Sequence, residues 1–451
     1  MFDYDVIFIG SGHACWHGAI TLVSAGKKVA IIDRGAIGGT CTNYGCDAKI
    51  LLDGPFEYVS GLKNYKDICI DSAPAIGWSG LMKYKKAQIG VLPVGLEAML
   101  TSMGIVIKKG HATLKDEHTV TVNKESISGE YIVIGTGMRS AQMNIAGREH
   151  LHNSKDFLDL DDMPDRIVFA GAGVISMEFA SMALTLGKNV TLIECSNKAL
   201  VSYPEQYVDR LTDKMKSEGA KFHFAEFISE IEKKNGEYIV HTQSGLAVAC
   251  DYVMDTTGRV ANVEDLGLEE LGIESSHHGI GVDEHLRTAV KNIYASGDVV
   301  YKEIPRLTPT AAFESEYIAA HILGKEQKPI QYPAVPSVVF TLPRIAQVGV
   351  KVKEAETIPE KYRIARVPYS QTMLWLAKNE KDIDITFIFD KSNCLVGAAV
   401  YGSEAGTWID VLTLIINQKL TADQLKNIIF SFPTSTYGLI SFLISQSAMS
   451  Q

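Results

Sequence analysis

No apolar run in the 451-residue chain approaches the ~18 to 20 residues a membrane-crossing helix needs. The opening Met1-Phe2-Asp3-Tyr4-Asp5 also lacks the basic segment of a secretory signal. These absences predict a cytoplasmic protein with no membrane partner. Positive charge is in deficit: 43 Lys and Arg against 53 Asp and Glu leave a net charge of −10, which argues against a nucleic-acid partner. Low-complexity tracts are missing as well, so the chain is expected to fold throughout. Cysteine is sparse, with seven residues, and only Cys41 and Cys46 lie close together, which excludes a secreted disulfide framework. What remains is a chain of ordinary globular composition, 46% apolar and 21% charged, long enough for two to four domains by the usual ~100 to 200 residues each.

The residues that are present repeat one grammar twice. Tyr4 to Ile9 is a β-rich run that stops at Gly10-Ser11-Gly12; an Ala-rich helical pattern follows to Gly26, then a second apolar run ends on Asp33. Arg166 to Ala170, Gly171-Ala172-Gly173, a helix, and Asn189 to Ile193 ending on Glu194 read the same way. A Gly-x-Gly turn lets the backbone approach a pyrophosphate, the next helix offers it free N–H groups, and an acid ~20 residues on accepts from ribose hydroxyls. Cys15 and Ser176 stand where a third glycine is usual, and both are small. A carboxylate at Glu194 repels a 2′-phosphate, and Cys195, Ser196 and Asn197 offer no guanidinium, so NAD(H) is expected over NADP(H), with Lys198 the one nearby cation.

Cys41 and Cys46, five apart, sit ~8 to 9 Å apart on an ideal helix, whereas a disulfide needs less than ~7 Å. Pairing therefore requires a broken turn, which Gly45 is able to supply. Two free thiols or a metal site are the alternatives. A metal would want further soft ligands, and no other cysteine lies within twenty residues on either side. His13, Cys15 and His17 at the first glycine turn read as local packing.

Gly38-Gly39-Thr40-Cys41 … Asn43 … Gly45-Cys46 … Lys49 resembles the active site of the glutathione reductase and dihydrolipoamide dehydrogenase family, the class I pyridine nucleotide-disulfide oxidoreductases. Ile134 to Gly137, Gly258-Arg259, Ala295 to Asp298 and Pro336 to Gly349 fall where that family has its other motifs, in order. The resemblance implies an α/β fold: an FAD-binding domain over 1–150 and 260–330, an NAD-binding domain over 151–259, and an α+β dimerisation domain over 331–451. It implies FAD contacts from Gly10, Gly12, Asp33, Arg34, Gly39, Thr40, Lys49, Ala112, Thr136, Gly137, Asp298 and Thr308. Nicotinamide-cofactor contacts are implied from Gly171, Gly173, Ile175, Glu194 and Gly258. It further implies a homodimer in which electrons pass from flavin to Cys46 and leave through Cys41 to a small-molecule acceptor. Glu178 falls on the position of the carboxylate that partners Lys49; without the family it reads equally as a solvent-facing residue, as Lys49 does as a surface lysine.

The chain also departs from the family. Where disulfide reductases carry His-Pro-Thr-x-x-Glu, it has Phe432-Pro433-Thr434-Ser435-Thr436-Tyr437, and its last histidine is His321. General acid–base assistance of ~10² to 10⁴ is thereby lost unless another group supplies it. Tyr437 is the candidate replacement, against a plain packing role. Asp47 and Ala48 replace the usual proline segment. The expected function is electron transfer through flavin and the cysteine pair to a small disulfide-type acceptor. Reduction of a metal ion or quinone, or carbon chemistry resembling the ketopropyl-coenzyme M carboxylase, is the alternative.

Overall fold

The computed structural model describes residues 1–368 and 372–448. Its first unit is organised by β1 (Tyr4–Ile9), whose last four residues are all buried, as expected for a strand covered on both faces. Helix α1 (His13–Ser24) follows and returns the chain to β2 (Val29–Asp33), parallel to β1. The redox segment then forms two helices, α2 (Gly39–Tyr44) and α3 (Cys46–Lys63), followed by α4 (Trp78–Ser102). From sequence alone, residues 60 to 110 look helical. Instead, after Gly104, the β-branched run from Ile105 to Ile107 leaves the helix and enters the sheet as β3 (Val106–Lys109), beside β2.

Strands β4 (Ala112–Leu114), β5 (Thr119–Val122) and β6 (Glu125–Ile134) complete this sheet in the order β3-β2-β1-β6-β5-β4, and the late strand Ile293–Ala295 adds to β6. In register, Ile9 faces Ile32 and Ile134, and Ala295 also faces Ile134. Gly10, Asp33, Gly135 and Ser296 therefore emerge together at the carboxyl ends of parallel strands, where open α/β sheets bind their ligands. Helix Thr308–Ile322 lies on α1, and the contact is close because Gly18 has no side chain: a Cβ there would stand 2.5 Å from the Ser315 carbonyl oxygen.

The second unit repeats the plan as a five-stranded sheet containing Arg166–Ala170, Asn189–Glu194, Lys221–Phe224 and Tyr252–Asp255, with helix Val174–Thr185 after its glycine turn. The third is a five-stranded antiparallel sheet, covered by helices Ala405–Gln418 and Ser435–Ala448, with Trp375 and Trp408 fully buried in its core. What positions the site is a core shared by all three units: Ala48, Leu52 and Phe56 of α3 pack in one cluster with Met177 and Phe179 of the second unit and Val339, Leu342 and Ile345 of the third. Among the described residues no helix is long and apolar enough to cross a membrane.

Candidate active site

The pair required a broken turn at Gly45, and the chain has one there. α2 ends at Tyr44, Gly45 takes φ −138° and ψ −120°, and α3 restarts at Cys46. A Cβ on Gly45 would lie 2.9 Å from the Thr40 carbonyl oxygen and 3.1 Å from the Cys41 Cα, so only glycine lets the two turns come this close. Both cysteines are thiols, Cys46 exposed and Cys41 half-buried. They hydrogen-bond to each other, and the Cys46 Sγ lies 3.6 Å from the Thr308 Oγ1, at the first residue of helix Thr308–Ile322.

These contacts split the two thiols. Cys46 is pulled well below the ordinary thiol range, first by the hydrogen bond from Cys41, then by Thr308 and the charge of Lys49, against burial and Asp47. Cys41 moves the other way, raised by that same neighbouring sulfur and by burial. The charge of Lys49 thus favours Cys46 as the seat of the reduced pair's negative charge.

Lys49, one turn along α3, donates to Glu178 at 3.0 Å. Of the two readings open for Glu178, burial decides: the residue is 3% exposed on helix Val174–Thr185, and the same Oε1 also accepts from the Phe340 backbone N–H at 2.9 Å. The lysine ammonium sits 4.0 Å from the centre of the Phe340 ring. One residue from each unit thus fixes the lysine, and Phe340 is a participant the sequence reading missed.

The glycine turns are built alike. Gly10 has φ +116°, and a Cβ there would meet the Gly135 carbonyl oxygen at 2.4 Å; Gly39 has φ +67°, and its Cβ would meet the Gly12 Cα at 2.8 Å. Gly39 has no room for a side chain against Gly12, and this close pair of glycines fits a pyrophosphate at the start of α1. Asp33 Oδ2 accepts from the Ser11 N–H (2.8 Å) and Ser11 Oγ (2.5 Å), while its Oδ1 accepts from Gly35 N–H. In the second unit Glu194 Oε2 accepts from Ala172 N–H at 2.7 Å and its Oε1 from Ser196. Both acids tie their glycine loop to the end of the following strand.

A cleft of about 340 Å³ runs from Gly10 past Asp33, Arg34, Ala112 and Thr136. Arg139, Asn262 and Glu264 line it too and were not anticipated; Arg139 pairs with both Glu264 oxygens at 2.7 and 2.8 Å, and Thr136 Oγ1 donates to the Asn262 carbonyl. Their signal is faint in sequence because each depends on a contact more than a hundred positions away. Gly137 accepts from Asn262 N–H, Asp298 lies in the charge field of Arg259, and Thr40 is exposed beside Gly39. Gly171 has φ +103°, Gly173 has open space around it, Ile175 lies on the first turn of the helix that follows, and Gly258 has φ +157°. The first cleft, with Gly10, Asp33, Arg34, Ala112 and Thr136 on its walls, fits an FAD, which would supply the two-electron acceptor between a nicotinamide and the sulfurs.

Tyr437 is not brought to this group within one chain. Among the described contacts its ring faces Phe432 at 5.2 Å; Phe432 is 77% exposed and Tyr437 42% exposed. Cys15 is buried against Gly135, and His13 Nδ1 lies 3.0 Å from His17 Nε2; no group of three or more His, Cys, Asp or Glu able to hold a metal occurs among the described residues.

Residues 4–315 match the family described as pyridine nucleotide-disulphide oxidoreductase, and residues 335–439 match its dimerisation domain. The chain is 30% identical to a glutathione reductase from Burkholderia cepacia over 93% of its own length and 94% of that protein's. It is 29% identical to a dihydrolipoyl dehydrogenase from Bacillus subtilis (strain 168), covering 96% and 94%. Among solved structures, the HOCl-induced flavoprotein disulfide reductase RclA from Escherichia coli shares the fold, with a TM-score of 0.88 at 23% identity over 98% of this chain and 99% of that one; the same protein's Cu(II) complex gives 0.87. With its glycine cradles, its cysteine pair and its buried lysine–glutamate couple in place, the chain belongs to the pyridine nucleotide-disulphide oxidoreductase family, whose members carry FAD.

Proposed function

We propose that the chain is a cytoplasmic homodimeric oxidoreductase that takes electrons from NADH through FAD to the Cys41–Cys46 couple and delivers them to a small acceptor. The observation that carries this reading is the Cys46–Lys49–Glu178 arrangement with Gly45 as its hinge. In reduction, two electrons break the S–S bond, Cys41 takes up one proton from solvent and Cys46 keeps the negative charge beside Lys49. Cys41 then returns its proton to solvent and attacks one sulfur of the acceptor disulfide, expelling the other as a thiolate; Cys46 attacks Cys41 in turn, re-forming the S–S bond and releasing the second thiolate. The acceptor best matched to this site is a disulfide whose leaving thiol is already acidic, since Phe432 offers no imidazole to protonate it.

A second reading has its own support. Phe432 and Tyr437 form an aromatic face where the family carries its acid–base pair, and an acceptor that needs no sulfur protonation, a metal ion or a quinone, is suited to such a face. The RclA structure obtained as a Cu(II) complex shares this fold and adds weight to the metal variant.

The preference for NADH rests on Glu194, whose carboxylate is held low by its hydrogen bonds to Ser196 and Ala172 against the effect of burial. Lys198, the one cation that could blur it, is committed to Glu205 at 2.8 Å. The test is NADH and NADPH oxidation over a panel of small disulfides, metal ions and quinones. NADH-driven turnover of an acidic-thiol disulfide, lost in Cys41→Ser, is the expected result. Fast metal or quinone reduction with slow disulfides establishes the second reading, and faster oxidation of NADPH overturns the cofactor preference.

A further inference from the structure

Helix α3 places Cys46, Lys49, Asp53 and Glu57 at steps of three and four residues, so all four lie along one face of the helix. The lower half of that face is as charged as the upper, and within it Asp53 is buried while Glu57 is part-exposed. Asp53 is 1% exposed and Arg344, from the third unit, is 7% exposed. One nitrogen of the arginine, Nη2, reaches Asp53 Oδ2 at 2.8 Å and Glu57 Oε2 at 2.7 Å. The Arg344 guanidinium also lies 4.7 Å from the centre of the Phe340 ring, the same ring that meets Lys49 at 4.0 Å and whose N–H binds Glu178. Two cations thus share one aromatic ring, with Glu178 holding one and Asp53 and Glu57 holding the other. Tyr203, raised by burial, faces Glu178 from the second unit.

We infer that Asp53, held by Arg344, is a positioning residue for the redox couple: its charge sets how readily Cys46 becomes a thiolate, and its proton compensates the charge left on Cys46 when the disulfide is reduced. This rests on reading Cys46 as the flavin-side thiol. The physical ground is distance and burial. Seven residues of helix separate Asp53 from Cys46 by ~10 Å along the axis, and Ala48, Leu52 and Phe56 of α3 pack into the shared core. At an effective dielectric near 20, a unit charge at that distance moves a titration by roughly one pH unit. Asp53 is poised to change charge in the working range, since burial lifts its carboxyl to about 6, with Arg344 opposing and Glu57 and Glu178 adding to the rise. The balance is simple. Two electrons break the S–S bond, one solvent proton goes to Cys41, the negative charge stays on Cys46, and a further solvent proton converts the Asp53 carboxylate to the acid. Charge arriving at one end of the helix face is offset at the other.

The test reads the Cys46 thiolate by its ultraviolet absorbance, as Cys41→Ser minus Cys41→Ser/Cys46→Ser, across pH, in holoenzyme with and without Asp53→Asn. With Asp53 present the transition is broadened and centred roughly one pH unit higher; with Asp53→Asn it is a single sharper step at lower pH. Superimposable curves overturn the inference, because a residue that only held α3 in place would not move this midpoint. If Asp53→Asn does not fold, infrared difference spectra of oxidised and reduced Asp47→Asn enzyme near pH 6 decide. A carboxylic acid C=O band appearing on reduction supports the inference and its absence overturns it. The long-wavelength thiolate–flavin absorption separates the two claims: an ultraviolet thiolate without it sinks the placement of Cys46 at the flavin while leaving the coupling to Asp53 intact.

Discussion

At the scale of single residues, the site depends on one missing Cβ and one buried pair. Gly45→Ala puts a methyl group within 3.1 Å of the Thr40 carbonyl and the Cys41 Cα, so the two turns must separate. The expected result is a loss of about 1 to 3 kcal/mol in denaturant unfolding and, by thiol titration of the air-oxidised enzyme, two reactive thiols more than the native protein, in which Cys69 and Cys195 already react. Glu178→Ala leaves Lys49 largely buried without its carboxylate and the Phe340 N–H without its acceptor; about 3 kcal/mol of stability should be lost, read from the shift in urea midpoint. Much at this scale was legible in the chain itself. Cys41, Cys46, Lys49 and the glycines are local in sequence, and their spacing carries the chemistry. Asp53 and Arg344 were not legible, because their meaning lies in a contact across 291 positions, and neither belongs to a glycine turn or a cysteine motif.

At the scale of elements, both strand–turn–helix units were legible from their apolar runs, their Gly-x-Gly turns and the acids Asp33 and Glu194 that end the second strands. The edges were less legible. β3 emerged from a segment whose texture suggested helix, because four residues become a strand only when a neighbouring strand, β2, is there to pair with them. The close contact of Gly39 with Gly12 is likewise a meeting of two elements. Gly39→Ala, strained at φ +67° and 2.8 Å from the Gly12 Cα, should displace α2 from the turn and lower bound FAD at least tenfold, measured as flavin absorbance per protein after gel filtration. Full FAD occupancy in that variant would remove the cradle from the account.

At the scale of the whole molecule, three units share the core around α3, so the redox helix is clamped by the nucleotide units and the C-terminal sheet together. Its acid–base complement is what this chain has changed. We propose that in the dimer Phe432 and Tyr437 of one subunit lie over the cysteine pair of the other. Restoring the family's pair with Phe432→His/Tyr437→Glu should raise turnover of a small neutral disulfide by ~10² or more, with a new dependence on a group titrating near the ordinary histidine range. No gain would mean that this segment does not reach the pair.

Electron passage through the Cys41–Cys46 couple is tested by anaerobic titration of the pure holoenzyme with NADH, beside Cys41→Ser. The native subunit should take up one hydride equivalent into the sulfur pair before the flavin bleaches and a second as it does, whereas Cys41→Ser should take up only the flavin's share. Equal uptake by the two proteins would show that Cys41 and Cys46 stand outside the electron path.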